Sequence, residues 1–149
     1  MPDLLAGSPI TALDTPPSVT SVQGTTVTTT SATFTTSGAD CAVVFTAPTT
    51  GRVKIFTTAR MINSAASGTL IAPETRTGST IGSGTVVEAA SAGNGPSHYG
   101  ASFARGTVMH LLTGLTPGAV YNTRLLMSTS SASDTASFAN RELSIEPAT

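Results

Sequence analysis

Short strand-like runs separated by Gly and Pro turns are the feature that most limits how this chain can fold. Residues 41–47 form a continuous apolar run, which is typical of a strand covered on both faces. Pro48 ends the run, and Gly51 permits a tight turn. Over residues 52–61 one face then carries small or apolar side chains, while the other carries three basic residues together with Phe56 and Thr58. This period of two predicts a half-buried strand joined to the first run at a corner.

The same punctuation continues along the chain, and no segment shows a convincing helical period. Further strands are predicted at 26–35, 69–76, 102–105, 107–113, 120–128 and 136–145, with 85–92 as either a strand or a short helical turn. Pro73 indicates an edge or a bulge in its strand. Of the 149 residues, 28 are Thr, whose branched Cβ suits a pleated surface. We therefore expect an all-β, antiparallel sandwich or jelly roll of about seven to nine strands.

The first 22 residues differ from the rest because prolines interrupt them and no strand period fits. Prolines at this density oppose ladder pairing and favour extended backbone. A frayed terminus is the simpler interpretation. The preferred one is an extended arm, residues 1–22, laid on a partner and followed by a β domain, residues 23–149. The candidate anchors of this arm are Leu4, Leu5, Ile10 and Leu13.

Composition excludes several classes of protein. Charged residues make up 10% of the chain and the net charge is −1, which argues against nucleic-acid binding. No apolar stretch approaches the ~20 residues of a membrane span. The N-terminal sequence lacks a basic region before an apolar run, so no signal peptide is predicted and synthesis in a cytoplasm is expected. With no Trp, five Phe and two Tyr, the core is thin, which favours burial of further area between subunits.

Few residues offer chemistry. Cys41 lies at the start of an apolar run without a basic neighbour, so a buried, inert thiol is expected. His98 and His110 are not at metal-ligand spacing from a Cys or a carboxylate. Glu74 and Glu88 could form a glycosidase pair, although nothing singles them out from solvated surface acids. No Gly-x-Ser-x-Gly elbow occurs. The sequence predicts no enzyme, no metal and no cofactor.

One loop and one strand face are the remaining candidate binding features. The glycine-rich loop 77–85 has neither the Walker nor the dinucleotide-binding spacing, so it is interpreted as a surface loop. Arg52, Lys54 and Arg60 share one face of a predicted strand. This basic face could meet an acidic partner or simply be solvated, and the sequence does not decide between the two.

Phe45-Thr-Ala-Pro-Thr-Thr-Gly51, followed by an alternating strand, resembles the Phe-x-Ala-Pro-x-x-Gly corner of the complement-type globular head domain. Leu111–Gly118, Val120–Met127 and Ser137-Phe138 follow in the order of that family's later elements. The resemblance covers roughly residues 40–149. It implies the jelly roll shared with tumour necrosis factor, in preference to an immunoglobulin or fibronectin-like sandwich, and it implies a homotrimer.

A second, shorter resemblance concerns Gly114-Leu-Thr-Pro-Gly-Ala-Val-Tyr121, which is similar to the Leu-x-Pro-Gly-x-x-Tyr corner of fibronectin type III domains. In that corner the tyrosine hydroxyl bonds to nearby backbone. The resemblance implies a buried Tyr121 at the start of a strand.

The whole chain resembles small virion proteins of bacteriophages that infect actinobacteria. The similarity lies in the Thr-, Gly- and Ala-rich composition, the start Asp3-Leu-Leu-Ala-Gly7, the segment Ala12–Pro17 and the ending Pro147-Ala-Thr149. It implies a structural protein on the virion surface: a capsid decoration protein that binds the major capsid protein of the assembled head as a trimer. The alternative is a minor tail or fibre component whose loops 63–68 and 91–100 bind a host-surface glycan.

Overall fold

The computed structural model describes residues 10–149, which form two antiparallel β-sheets packed face to face. No helix occurs in this part of the chain, so the predicted all-β sandwich is confirmed. The strands are β1 Val19–Gln23, β2 Val27–Thr29, β3 Ala42–Thr46, β4 Val53–Asn63, β5 Gly68–Thr77, β6 Val86–Glu88, β7 Ser97–Tyr99, β8 Ala104–Leu112, β9 Val120–Thr129 and β10 Ala136–Pro147.

The strand pairing is nested. Sheet A has the order β1-β10-β4-β8, with β2 also paired to β10, and sheet B has the order β3-β9-β5-β6, with β7 also paired to β5. The first strands thus pair with the last one, β3 with β9, β4 with β8, and β5 with β6 and β7. The β10·β4 and β5·β9 pairs join these strand pairs into the two sheets.

Strand β4 shows how the sequence pattern positions the core. Its alternate residues from Val53 to Met61 are buried, whereas Lys54 and Arg60 are exposed, as the period of two predicts. The buried face packs against inward residues of β10, among them the fully buried Phe138. Phe45 and Tyr121 of sheet B stack with ring centres 5.8 Å apart, which fills the opposite wall of the core.

The corner between β3 and β4 forms as expected. Gly51 has a φ of 63°, its N–H donates to the Pro48 carbonyl at 2.9 Å, and its own carbonyl accepts the Leu115 N–H at 3.0 Å. A Cβ at this position would lie 2.4 Å from the Leu115 carbonyl oxygen, so both the conformation and the contact require glycine.

The Tyr121 prediction is also confirmed. Tyr121 is buried near the start of β9, and its hydroxyl accepts the Thr116 N–H at 3.0 Å. This bond fixes the turn that precedes β9. The same turn contains Leu115, whose N–H donates to the Gly51 carbonyl, so the two corners stabilise each other.

Several boundaries differ from the predictions. The strand expected at 26–35 shortens to β2, and Thr35 makes only an isolated bridge to Met127. The runs 102–105 and 107–113 merge into the single strand β8, because Gly106 pairs in register with Ala59 and the ladder with β4 continues through it. The sequence also gave no indication of β7.

The sandwich begins at Val19, inside the segment predicted to be arm. Val19 pairs with Ile145 of β10 and is half-buried, whereas Val22 is exposed on the outer face. Because these two apolar residues lie on opposite faces of β1, the strand shows no apolar period in the sequence. Residues 19–22 therefore belong to the β domain.

Candidate functional site

The predicted basic face lies on the outside of sheet A. Arg52, Lys54 and Arg60 are all exposed. Lys54 lies in register with Leu111 of β8 and Glu146 of β10. The Arg60 guanidinium lies 3.6 Å from the centre of the Phe103 ring, a cation–π contact.

The same face carries exposed apolar side chains. Three apolar side chains are exposed in or next to β8, an edge strand of sheet A: Phe103, Met109 and Leu111. Met109 retains 52% of its accessible surface. Beside them Arg105 lies 3.8 Å from Glu142. We call this surface the outer face of sheet A, and its members are Lys54, Arg60, Phe103, Arg105, Met109, Leu111, Glu142 and Glu146. Apolar side chains rimmed by charges of both signs are typical of a protein-binding surface.

The predicted arm anchors have different environments. Leu4 and Leu5 lie outside the described residues. Ile10 is 71% exposed. Leu13 is half-buried against its own β domain, where its carbonyl accepts the Thr49 N–H at 3.1 Å and its methyl groups approach Gly118. Leu13 therefore makes contacts within its own chain.

A turn holds this segment in place. The Asp14 carboxylate accepts the N–H and the hydroxyl of Thr11 at 2.7 and 2.8 Å. The Thr11 backbone bond is the main reason that the pKa of Asp14 lies below its usual value.

An apolar groove of about 570 Å³ lies between this segment and the free side of β3. We call it the β3 groove, and it is lined by Ala12, Leu13, Pro16, Pro17, Val19, Val44, Phe45, Thr46 and Val120. Strands β1 and β3 are the terminal strands of their sheets and contact each other on this side of the sandwich. The groove thus runs beside the open edge of sheet B.

A buried ion-pair network lies on the outside of sheet B. Glu74 is buried, and its carboxylate accepts Arg76 Nε at 2.9 Å, Arg76 Nη2 at 3.0 Å and Arg124 Nε at 3.0 Å. These bonds, first of all the bond from Arg76, hold the pKa of Glu74 below its usual value. Glu74 and Arg124 lie directly opposite each other on β5 and β9, although they are 50 positions apart in the sequence.

This network supports the glycine-rich loop, here residues 78–84. The Gly82 N–H donates to Asn122 Oδ1 at 3.0 Å, and Asn122 Nδ2 donates to the carbonyls of Gly78 and Ser83. A Cβ at Gly82 would lie 2.4 Å from Arg124 Nη1, so the loop packs directly on the guanidinium. The loop is an ordered cover on sheet B.

Glu88 does not join Glu74 to form a glycosidase pair. Glu88 pairs in register with Thr75, so its side chain points to the face of sheet B opposite that of Glu74. Its Oε1 lies 2.5 Å from His110 Nε2. That contact links β6 to β8, the edges of the two sheets. His98, the other histidine, contacts the Ser102 carbonyl at 2.8 Å and closes its own loop.

The interior holds one charged residue that sequence reasoning missed. Arg141 is fully buried, and its Nη1 donates to the Ala39 carbonyl at 3.2 Å, while Nε and Nη2 have no partner among the described residues. Burial lowers the pKa of Arg141. Asn140, with a φ of 48°, forms the bulge that turns Arg141 inward. The sequence contains a sign of this bulge. Phe138 and Leu143 are both apolar and both buried, but their odd separation would place them on opposite faces of a regular strand.

Cys41 is also buried, as predicted. Its thiol is fully inaccessible and donates to the Ser21 carbonyl at 3.4 Å. Burial raises the pKa of the Cys41 thiol, which disfavours the reactive thiolate.

Within residues 10–149, no group of three or more His, Cys, Asp or Glu side chains is placed to hold a metal ion. The described part of the chain also contains no helix long and apolar enough to cross a membrane. In comparisons with known proteins, no family model matches the chain, and no curated protein matches it either.

Proposed function

We propose that this chain is a structural protein of a bacteriophage particle, a trimeric jelly-roll module that binds the assembled head and stabilises it. The observation that carries the proposal is the outer face of sheet A. There Met109 and Leu111 are exposed two positions apart on β8, Phe103 is exposed just before that strand, and charges of both signs lie on the same face. Such a face exposes apolar area to water, which is unfavourable until another protein covers it.

The nested strand pairing supports a jelly roll. In an immunoglobulin-type sandwich, with sheets ABED and CFG, consecutive strands such as A and B or F and G are neighbours. Here β3, β4 and β5 succeed one another in opposite sheets, and so do β8, β9 and β10. Alternation between sheets along the chain is what a folded-over ribbon produces.

The placement of the polar residues supports an adhesive role rather than a catalytic one. Glu74 is engaged by two arginines under the loop 78–84, Glu88 contacts His110, and Cys41 is inaccessible. Each of these groups contributes to holding strands or loops together.

The proposed mechanism follows from selective binding. A protein that binds only the assembled shell stabilises it by mass action, by an amount that grows with its free concentration. Three linked copies bind more tightly than one, because the second and third contacts are intramolecular. The low net charge of −1 allows copies to approach one another without strong repulsion.

A minor tail or fibre protein remains the second candidate, and one observation favours it. Tyr99 is 64% exposed and lies against Gly68, so the loops 63–68 and 91–100 meet at an exposed aromatic ring. Exposed tyrosines of this kind suit stacking on a sugar ring.

Binding to heads prepared without this protein tests the proposal. Met109→Asp, on the outer face of sheet A, is expected to weaken co-sedimentation with heads at least roughly tenfold, because a carboxylate would be buried in an apolar contact. Val87→Asp is the matched control, since Val87 is 39% exposed but lies on β6 at the edge of sheet B. Equal binding by both variants would exclude the outer face as the docking surface. Tyr99→Ala, in contrast, should reduce binding to host cells only if the tail alternative holds.

A further inference from the structure

The β3 groove is an apolar surface that the proposed head-binding face does not use. It is open to solvent, since Val44 and Val120 are 38% and 40% exposed, and Phe45 forms part of its wall. A volume of about 570 Å³ is within the range of pockets that bury small ligands or side chains. A smaller extension of the same region reaches Val53 and Ile145 at the edge of the core.

The groove is shaped for an extended chain segment. It follows β3, the terminal strand of sheet B, so a segment lying in it could add main-chain hydrogen bonds to that edge. The groove is lined by apolar side chains except for Thr46, so large aliphatic side chains would suit it. Its occupant should therefore be extended and should carry large aliphatic side chains.

We propose that the occupant is the segment Leu4-Leu5 of a second copy of this chain. Residues 1–9 carry these two leucines and only one charged side chain, Asp3. Nine extended residues span up to about 30 Å, enough to reach a neighbouring subunit. This proposal rests on the self-association that the proposed function includes, and it names the contact that links the copies.

The described chain begins at the surface, from which nine further residues are long enough to reach a neighbouring subunit. Ala12 and Leu13 line the groove within a turn from Thr11 to Asp14, and Ile10, just before that turn, is 71% exposed.

An arm placed in the groove of the next subunit is a heterologous contact. Such contacts close into rings when the rotation between copies permits it, and three copies would give a threefold ring. The outer face of sheet A is on the other sheet and stays available for the head.

Cysteine cross-linking tests the exchange, because the only native thiol, Cys41, is fully buried. Leu5→Cys and Val44→Cys are made in separate proteins, mixed and oxidised. The expected result is a disulfide-linked dimer of the two variants on a non-reducing gel. The matched control mixes Leu5→Cys with Val87→Cys, whose position has nearly the same exposure at a distant edge, and it should remain unlinked.

Two outcomes would overturn the proposal. One is the absence of cross-linking in the mixture. The other is an intrachain disulfide in a protein that carries both substitutions, which would place the segment in its own groove.

A second measurement separates this proposal from the proposed function. Leu4→Ser combined with Leu5→Ser should weaken self-association at least roughly tenfold in sedimentation velocity. If this variant stays trimeric, the arm exchange is wrong while the trimer stands. If it dissociates but the wild type fails to bind heads, the exchange stands and the proposed function fails.

Discussion

Replacing Glu74 with Gln removes the anion at the centre of the network on sheet B. The substitution keeps the shape of the side chain and one acceptor oxygen, but it leaves the guanidinium groups of Arg76 and Arg124 without a counter-charge. Both arginines lie under the loop 78–84, and their side chains are only 23% and 20% exposed. Water can therefore replace the lost carboxylate only in part.

The expected loss of stability follows from these contacts. The carboxylate accepts three N–H bonds at 2.9–3.0 Å from charged donors, and hydrogen bonds to charged groups contribute about 1.5–3 kcal/mol each. Their sum overstates the effect because glutamine retains an acceptor and the arginines keep some water. We expect a loss of roughly 2–3 kcal/mol, below the range for a fully buried pair that loses one partner. For a domain of this size that corresponds to a decrease in Tm of about 5–10 °C.

Urea unfolding measures this loss directly. The midpoint should fall while the slope m stays constant, because the surface exposed on unfolding does not change. Glu142→Gln is the matched control, since Glu142 pairs with Arg105 at 3.8 Å with both side chains well exposed, and its loss should stay below about 0.5 kcal/mol. If Glu74→Gln and Glu142→Gln have equal midpoints, the network adds no more than a surface ion pair and the reasoning fails.

Three further predictions follow from single sites. Because the folded-state pKa of Glu74 is lowered, its stabilising effect is present above the ordinary value of 4.5 and is lost as pH falls through the folded pKa. The Tm difference between wild type and Glu74→Gln should therefore be full near neutral pH and shrink below about pH 4.5, and a pH-independent difference would contradict this. Gly51→Ala should destabilise the fold by at least about 1–2 kcal/mol in urea unfolding because of its φ of 63° and the Leu115 carbonyl, whereas Gly24→Ala, with open space around it, should not. Cys41 should resist alkylation by iodoacetamide in the native protein and react on unfolding, and rapid native labelling would refute its burial.

The local parts of the fold were predictable because local chemistry determines them. The alternation of β4 places its charged residues outside, and the turn at Gly51 depends on a φ that glycine adopts most readily. The position of Tyr121 likewise follows from the turn that its hydroxyl closes. In each case the partners lie close together in the sequence or within one strand.

The candidate surfaces were less predictable because they depend on strand register between distant segments. Arg60 and Arg105 share a face only because β8 pairs with β4, and Arg124 meets Glu74 only because β9 pairs with β5. Arg141 was missed for a different reason, since its bulge reverses the alternation within a single strand. Leu13 has its partners at Thr49 and near Gly118, which no local pattern indicates.

The abundance of this protein in purified virions tests the central proposal most directly. If the proposed function holds, a bacteriophage encodes the chain, and quantitative mass spectrometry of its particles gives the copy number of the chain relative to the major capsid protein. A decoration protein should be present at the same order of abundance as the capsid protein, because it occupies repeated sites on the shell. A copy number far below that would favour the tail alternative and contradict head decoration. Absence of the protein from purified particles would contradict both.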